Sequence, residues 1–287
     1  MALFDLNRRT RTPLLENHPD AVDAEATRDF HERYGEHVEF APVVVVIAAY
    51  NEAGGIGGVL ERLPTECLGM PVEPLVVVDG AADATAQVAI DHGARTCIAP
   101  TNRGQGAALR LGYHLAYAAG AQYIVTTDAD GQYDTSELPA LLAPIVQGGA
   151  DFVTGSRILG SNESGDRMRQ AGCRFFAALV SVLMRRRVTD TSFGLRAMHA
   201  KVPVSVTLQQ PQYQSSELLI SIMAHGYQVA EVPMTIAKRD AGKTKKGNNL
   251  VYGSRYARVV LGTWLRERRS AKTQRSNSTN LATNTTP

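Results

Sequence analysis

Short β-branched runs alternate with helical patterns along this chain, and the alternation limits the fold more than any other feature. The first run, PVVVVIAAYNE at residues 42–52, is apolar almost throughout and predicts a strand buried on both faces. Further strands are predicted at 74–80 and 150–157, with helices between them. The pattern favours an α/β fold with a mainly parallel central sheet and helices on both faces.

Composition narrows the class of protein. The chain has 287 residues, 44% of them hydrophobic, which is enough for one large domain with a sizeable core. The formal net charge of +2 argues against a nucleic-acid binder, although a basic stretch between Lys238 and Arg269 favours a phosphate-bearing or membrane partner. Cys67, Cys97 and Cys173 are not spaced like zinc ligands and predict reduced thiols of a cytosolic protein.

The chain divides into three parts by composition. Residues 1–40 form a polar N-terminal extension for which an irregular or partly helical structure is expected. Residues 41–269 carry the strand and helix patterns, and residues 270–287 are rich in Ser, Thr and Asn, which predicts a disordered tail. Neither a signal peptide nor the roughly 20-residue apolar run of a membrane-spanning helix is visible. A cytoplasmic protein is therefore expected, either soluble or peripheral at the inner face of the membrane.

Polar side chains gather where the predicted strands end. In a parallel sheet the carboxyl ends of the strands share one edge, and ligands bind beyond that edge. Side chains from distant parts of the chain are therefore expected to meet there. They are Asn51, Glu52, Asp79, Arg103, Asp128, Asp130 and Arg157.

Within this group, Asp128 and Asp130 raise a question of charge. They lie one residue apart in VTTDADGQY, and two like charges so close repel each other. A turn after a strand favours Asp for local hydrogen bonds, which is one explanation. The other is a divalent cation, because Asp oxygens hold Mg²⁺ or Mn²⁺ when substrate phosphates complete the coordination shell. Their position beside other polar strand ends favours the cation.

Several motifs also follow one another in a fixed order: AAYNE, VVDG, NRGQGAAL, DADGQ, GSR, DTSFGLRA and RDAGKTK. Together they resemble the family 2 glycosyltransferases of the GT-A fold, most closely the polyprenyl-phosphate (dolichyl-phosphate) mannose or glucose synthases. The resemblance implies a Rossmann-like nucleotide-sugar-binding domain. It also implies a metal-dependent, inverting hexosyltransferase that moves mannose or glucose from GDP-mannose or UDP-glucose to a polyprenyl phosphate.

The same resemblance assigns roles to individual residues. The positions expected to bind the donor are Tyr50, Asn51, Glu52, Asp79, Arg103, Asp128 and Gln132. The positions expected to hold the metal are Asp128, Asp130 and Gln132. Arg157 would receive the acceptor phosphate, while Arg239 and Lys245 would clamp the donor diphosphate and stabilise the departing charge. With Asp130, these three are the expected catalytic residues.

Departures from the family pattern leave alternatives open. Val78 and Ala81 stand where relatives carry Asp and Ser, so a non-catalytic nucleotide-sugar-binding module is one alternative. Transfer to a soluble or cell-envelope sugar hydroxyl is another, with Glu217 or another carboxylate as general base. A structural role for Glu217 is favoured, because a phosphate acceptor is already anionic and needs no base. Arg196 is also expected to act structurally.

The last helical pattern, at residues 251–269, is basic and carries Trp264. Such a helix suits the surface of an anionic bilayer. Packing against the core with a solvated basic face explains the pattern equally well. Membrane contact through the C-terminal helix is therefore one of two expectations.

Overall fold

The structure is a computed structural model that describes residues 20–162, 167–237 and 249–283. Within them, eight strands form one sheet, and a hydrophobic cluster lies on each of its faces. The strands are β1 Val43–Ala49, β2 Glu66–Cys67, β3 Met70–Asp79, β4 Arg95–Ala99, β5 Tyr123–Asp128, β6 Phe152–Asn162, β7 Arg196–His199 and β8 Val229–Ile236. The helices are α1 Ala21–Tyr34, α2 Ile56–Glu61, α3 Thr85–Asp91, α4 Gln105–Ala118, α5 Leu138–Val146, α6 Arg167–Met184, α7 Lys201–Val204, α8 Gln214–Ala224 and α9 Asn249–Thr283.

The sheet is mainly parallel. Its strand order is β2-β3-β1-β5-β7-β6-β8, with β4 paired to β3. The pairs β1–β3, β1–β5, β3–β4 and β6–β8 are parallel. The predicted fold class, an α/β domain with a mainly parallel sheet between helices, is therefore confirmed.

Strand β1 shows why a continuous apolar run was needed at the centre of this sheet. Val44 and Val46 belong to the hydrophobic cluster on one face, whereas Val45 and Ile47 belong to the cluster on the other. All four are fully buried. A strand covered by helices on both sides has no solvent-facing row of residues, so its sequence does not alternate.

Strand β7 is the main departure from the predicted pattern. It lies antiparallel between β5 and β6, and Arg196 pairs with Thr126 on one side and Thr154 on the other. No strand was predicted at 196–199, because the segment DTSFGLRA has no β-branched run. The insertion makes the sheet mixed and separates β5 from β6.

Both predicted flanking segments contribute helices. In the N-terminal extension, α1 buries Ala26 and Phe30 in the core, and the hydroxyl of Tyr34 accepts a hydrogen bond from the Thr96 amide at 3.0 Å. At the other end, α9 runs to Thr283, into the segment for which disorder is predicted. The division at residues 40 and 269 stays a prediction. Among the described residues, no helix is long and apolar enough to cross a bilayer.

Candidate active site at the carboxyl ends of the strands

The ends of β1, β3 and β5 form one edge of the sheet, and most of the predicted site residues lie there. Ala48 of β1 pairs with Asp128 of β5, and Ala49 pairs with Val78 of β3. Asp79 is the last residue of β3. The loops that follow these three strands are consequently neighbours in space.

Hydrogen bonds join the loop after β1 to the loop after β3. The side-chain oxygen of Asn51 accepts from the Ala82 amide at 2.9 Å, and the Glu52 amide donates to the Thr85 hydroxyl at 2.9 Å. Asn51 has φ of 53°, a left-handed conformation that Asn tolerates better than most residues. Tyr50 is 41% exposed at the rim of this loop. The two loops therefore form one fixed wall with an accessible aromatic ring.

Asp83 also joins these loops, in addition to starting a helix. Its carboxylate accepts from the Thr85 amide at 3.0 Å and from the Ala53 amide at 3.2 Å. Hydrogen bonds to Thr85 and Ala53 lower the pKa of Asp83, although its slight burial opposes them. The carboxylate is therefore stabilised as an anion by local backbone contacts.

Asp79 is buried and Arg103 is partly buried, and each contacts the other's segment. One oxygen of Asp79 accepts from the amides of Arg103 at 2.9 Å and Gly104 at 2.7 Å. The Arg103 guanidinium donates to Asp20 at 2.8 Å and to Asp23 at 2.6 Å. Burial raises the pKa of the Asp79 carboxyl, against the lowering effect of the Arg103 and Gly104 amides. The Arg103 side chain thus contacts α1, and its donor-binding role stays a prediction.

The turn after β5 shows features of both explanations offered for the paired aspartates. Asp130 accepts from the Gln132 amide at 3.2 Å, which is a local turn hydrogen bond. Asp128 instead accepts from the side-chain amide of Gln105, the first residue of α4, at 2.8 Å. The Gln132 side chain donates to the Ala237 carbonyl at 3.2 Å and so ties the turn to the end of β8.

A glycine opposite Asp128 makes room for its carboxylate. A Cβ atom at Gly194 would lie 2.7 Å from Oδ2 of Asp128 and 2.8 Å from the ring of Tyr133. The Tyr133 hydroxyl accepts from the Gly194 amide at 2.8 Å. Burial, and then the charge of Asp128, raise the pKa of Tyr133, so this phenol stays neutral and acts as a fixed support.

The donor set at this turn fits a hard divalent cation. Asp128 and Asp130 are both only partly buried. Among the described residues, no group of three or more His, Cys, Asp or Glu side chains is arranged to hold a metal. Any ion at this turn would therefore depend on ligands from outside the protein. Two carboxylates on one turn are what Mg²⁺ or Mn²⁺ needs from a protein when substrate phosphates and water supply the other oxygens. The residues present fit such an ion, with the substrate completing its coordination.

Arg157 lies in a second polar cluster, on β6. Its Nε donates to Oδ2 of Asp190 at 2.6 Å, and its Nη2 donates to the Ser192 hydroxyl at 3.3 Å. The guanidinium also lies over the ring of Phe193, 5.5 Å from its centroid. Burial alone would lower the pKa of Arg157, but the charge of Asp190 raises it above its ordinary value. Arg157 is therefore a permanent cation whose orientation Asp190 fixes.

Strand β7 lies between β5 and β6 and so sets the position of the Asp128 turn relative to the Arg157 cluster. The β5–β7 register pairs Thr126 with Arg196, so Asp128 lies opposite Gly194 just beyond the ladder. The Gly155 amide on β6 donates to the Leu195 carbonyl at 3.1 Å, which carries the β6–β7 pairing towards Phe193 and Arg157. The short 193–194 segment therefore separates the carboxylate turn from the arginine.

Glu217 lies away from both clusters in a sealed environment. It is fully buried and accepts from the amides of Gln209 at 2.9 Å and Gln210 at 2.9 Å, and from Arg266 at 2.7 Å. These contacts connect α8, α9 and the loop at 209–211. The structure favours the structural interpretation of Glu217 over a general base.

Two glycines at the start of α4 pack closely against the loop at 209–211. The Gly106 amide donates to the Pro211 carbonyl at 2.9 Å, and a Cβ at Gly106 would collide with the Gln210 carbonyl. A Cβ at Gly104 would lie 2.5 Å from the Pro211 carbonyl oxygen. Close backbone approach at these glycines allows the 209–211 loop to pack against the helix.

Sequence reasoning missed several residues that shape the site. Gln105, Tyr133 and Gly194 surround Asp128, and Asp190 orients Arg157. Gln105 and Asp190 lie inside quoted motifs, so their polar character was an available signal. Asp23, which accepts a hydrogen bond from Arg103, had no such signal, because α1 belongs to a segment without clear periodicity. Arg239 and Lys245, the predicted diphosphate clamp, lie outside the described residues.

Comparison with known proteins decides the family. The profile "Glycosyl transferase family 2" matches residues 44–202, more than half of the chain. The chain belongs to glycosyl transferase family 2. The protein is therefore a glycosyltransferase, as its motif order predicted.

Two curated relatives of this glycosyltransferase act on lipid phosphates according to their names. The dolichyl-phosphate hexose transferase of Haloferax volcanii is 35% identical over 206 residues, which cover 72% of this chain and 87% of that protein. The UDP-N-acetylglucosamine–dolichyl-phosphate N-acetylglucosaminyltransferase of Methanococcus voltae is 30% identical over 157 residues, which cover 53% and 62% of the two chains. The predicted resemblance to polyprenyl-phosphate sugar transferases is confirmed.

A solved structure confirms the GT-A fold of the glycosyltransferase. Glucosyl-3-phosphoglycerate synthase from Mycobacterium tuberculosis, in complex with Mn²⁺, UDP and glucosyl-3-phosphoglycerate, superposes with a TM-score of 0.60. The two chains are 20% identical, and the match covers 84% of this chain and 83% of that one. At this identity the likeness concerns the fold alone.

Proposed function

We propose that this glycosyltransferase is a metal-dependent, inverting hexosyltransferase that moves mannose or glucose from GDP-mannose or UDP-glucose to a polyprenyl phosphate. It would work at the cytoplasmic face of a membrane, where such acceptors are embedded. The observation that carries the proposal is the alignment of two partly open carboxylates, Asp128 and Asp130, with a cation, Arg157, across the 193–194 segment. One side of this segment suits a metal-bound diphosphate and the other an anionic acceptor.

The donor side is supported by the fixed wall of loops around the turn after β5. Asn51 and Glu52 hold this wall through hydrogen bonds, and Tyr50 exposes its ring there. Asp128 and Asp130 would hold Mg²⁺ or Mn²⁺, and Gln132 stays a predicted third ligand. When bound, the ion supplies positive charge that stabilises the leaving diphosphate. The solved relative with Mn²⁺ and UDP on the same fold agrees with this proposal.

A phosphate acceptor is supported by the state of Glu217. Transfer to a sugar hydroxyl requires a base that can reach the attacking oxygen. Glu217, the base considered for that reaction, is fully buried and is held by two backbone amides and Arg266. A phosphate is already anionic at neutral pH and needs only to be bound and oriented. Arg157, kept cationic by Asp190, is suited to bind it.

The proposed reaction then depends mainly on positioning. Arg157 would orient the acceptor oxygen for direct attack at the anomeric carbon, on the face opposite the diphosphate, which gives inversion. Asp190 and Ser192 would keep the guanidinium in place. Arg239 and Lys245 remain predicted partners of the diphosphate.

A donor panel tests the proposal. Radiolabelled GDP-mannose and UDP-glucose are incubated with the protein, Mn²⁺ and a crude lipid extract, and label is counted in the organic and aqueous phases. We expect label in the organic phase. Label that remains in the aqueous phase as a glycoside would point to a hydroxyl acceptor. Tight donor binding without turnover would point to a binding module.

The variant Asp130→Asn tests the metal site within the same assay. Removing one of two metal-binding carboxylates should lower metal-dependent transfer by about a hundredfold or more. Asp134→Asn is the matched control, because Asp134 is exposed on the same connection and only accepts from the Ser136 amide at 2.9 Å. Full activity of Asp130→Asn would exclude the proposed metal role.

A further inference from the structure

Helix α6 carries a row of large apolar side chains on its exposed side. Met168, Phe175 and Val182 recur every two turns and are 67%, 62% and 75% exposed. Ala177 and Val180, on the opposite side of the helix, are buried in the core. Large apolar side chains that recur along one exposed side of a helix usually mark an interaction site, whereas scattered exposed apolar residues do not.

Helix α9 extends this apolar surface. The rings of Phe176 and Tyr256 lie 4.5 Å apart, and the Trp264 indole donates to the Leu183 carbonyl at 3.1 Å, so the two helices run side by side in the same direction. Two further apolar side chains of α9 are exposed, Leu261 by 41% and Leu265 by 44%. The surface formed by Met168, Phe175, Val182, Leu261 and Leu265 is called the α6–α9 face.

The charges around the α6–α9 face are almost entirely positive. Helix α6 has no Asp or Glu in its sequence. Between residues 249 and 269, α9 has one acidic residue, Glu267, and it is buried. Exposed arginines flank the apolar row: Arg174, Arg185, Arg255, Arg258, Arg268 and Arg269.

We propose that the α6–α9 face docks onto an anionic lipid bilayer, a proposal that rests on the lipid-phosphate acceptor proposed above. Apolar side chains would enter the boundary between head groups and acyl chains, while the surrounding arginines bind anionic head groups. A second copy of the chain is a poorer occupant. A symmetric contact would bring this basic face against itself and place like charges opposite one another.

Helix α6 lies between the α6–α9 face and the proposed acceptor site. Sγ of Cys173, on α6, is 3.8 Å from the Ser192 hydroxyl, and Ser192 accepts a hydrogen bond from Arg157. Cys173 is one helical turn from the buried Ala177, on the side of α6 opposite the apolar row, so α6 itself separates a bilayer on the α6–α9 face from Arg157. Sequence analysis expected membrane contact through the C-terminal helix alone, because the exposure of Phe175 and Val182 is visible only in the structure.

Co-sedimentation of the full chain with vesicles tests the docking surface. Vesicles of phosphatidylcholine with phosphatidylglycerol should bind the protein, and pure phosphatidylcholine should bind it far less. The double variant Phe175→Ser, Val182→Ser should bind the anionic vesicles at least about tenfold more weakly than the unmodified protein does. Val146→Ser, which removes a 44% exposed valine from α5, should bind like the unmodified protein. Unchanged melting temperatures would show that both variants fold.

A charge reversal tests the electrostatic part. Arg258→Glu should weaken binding to anionic vesicles about tenfold and lower its dependence on salt. Arg28→Glu, an exposed arginine on α1, should have no such effect. Equal binding of the double serine variant and the unmodified protein would overturn the proposal. So would a dimer of the unmodified protein that this variant dissociates without a change in vesicle binding.

A short-chain, water-soluble prenyl phosphate separates this proposal from the proposed function. The double serine variant should keep transfer to the soluble acceptor but lose transfer to a long-chain acceptor in vesicles. Vesicle binding without label in either acceptor would overturn the proposed function and leave the docking surface standing. Transfer to the vesicle acceptor at the full rate by the double serine variant would overturn the docking surface alone.

Discussion

Two arginines near the strand ends, the buried Arg157 and the partly buried Arg103, are compensated very differently. Arg103 has three carboxylates within reach: Asp20 and Asp23 at hydrogen-bond distance and Asp79 at 3.8 Å. Arg157 has one, Asp190, which is fully buried with it. Near Arg103 the negative charge is in surplus, so an incoming phosphate would be repelled. Near Arg157 the charges of a single pair cancel, so that repulsion is absent.

The difference teaches that burial of an arginine at a strand end does not by itself make it a substrate ligand. Arg103 fixes α1 to the loop after β4, and two of its nitrogens, Nε and Nη2, find no hydrogen-bond partner among the described residues. Arg157 is held through Nε by Asp190 and through Nη2 by Ser192. These two residues hold the Arg157 guanidinium from one side. The proposed role in orienting an acceptor would require such a fixed guanidinium.

The largest expected effect is that of Asp190→Asn. It leaves the buried charge of Arg157 uncompensated, which should lower the free energy of unfolding by about 3–5 kcal/mol. Urea denaturation measures the change, with Asp134→Asn as an exposed control. A loss below about 1 kcal/mol would mean that Asp190 does not carry the compensation, and the contrast with Arg103 would disappear.

Removing the charge of Glu217, which pairs with Arg266, should lower the free energy of unfolding by an intermediate amount. Glu217→Gln keeps an oxygen for the Gln209 and Gln210 amides but removes the charge beside Arg266, which is 22% exposed. Because water partly solvates that arginine, we expect a loss of about 1–3 kcal/mol in unfolding free energy. Turnover per folded molecule should be unchanged. A large loss of turnover at unchanged stability would restore Glu217 as a general base.

The smallest effects are expected at Arg103, where carboxylates are in surplus. Asp23→Asn removes one of three, and the remaining two still exceed the charge of the arginine, so we expect a cost of about 1 kcal/mol. Asp20→Asn should cost less, because that side chain is 35% exposed. Thermal unfolding of both variants beside Asp190→Asn measures the order. A larger effect at Asp23 than at Asp190 would reverse the comparison.

Most of the first half of the fold could be predicted from the sequence. β1, β4, β5 and α4 are continuous segments whose residue patterns match their burial, and parallel pairing follows from their alternation. The second half could not be predicted to the same extent. β7 is a four-residue strand defined by its neighbours rather than by its own composition.

The site was predictable in its parts but not in its connections. The sequence predicted Asp128 and Arg157 at strand ends; Asp128 does end β5, whereas Arg157 lies inside β6, which continues to Asn162. Which carboxylate accompanies which arginine depends on contacts between distant segments, as for Asp23 on α1 and Arg103 in the loop after β4. No local pattern encodes such a pairing. The roles of these residues in binding stay predictions.

Strand β7 has a consequence for how this enzyme could diversify. It is hydrogen-bonded to β5 on one side and β6 on the other, so the gap between the carboxylate turn and Arg157 spans two strand spacings, about 9–10 Å. Backbone ladders do not stretch when side chains change. Loops beyond the strand ends can therefore change in sequence while the distance between the backbone of the Asp128 turn and that of Arg157 stays fixed by the sheet.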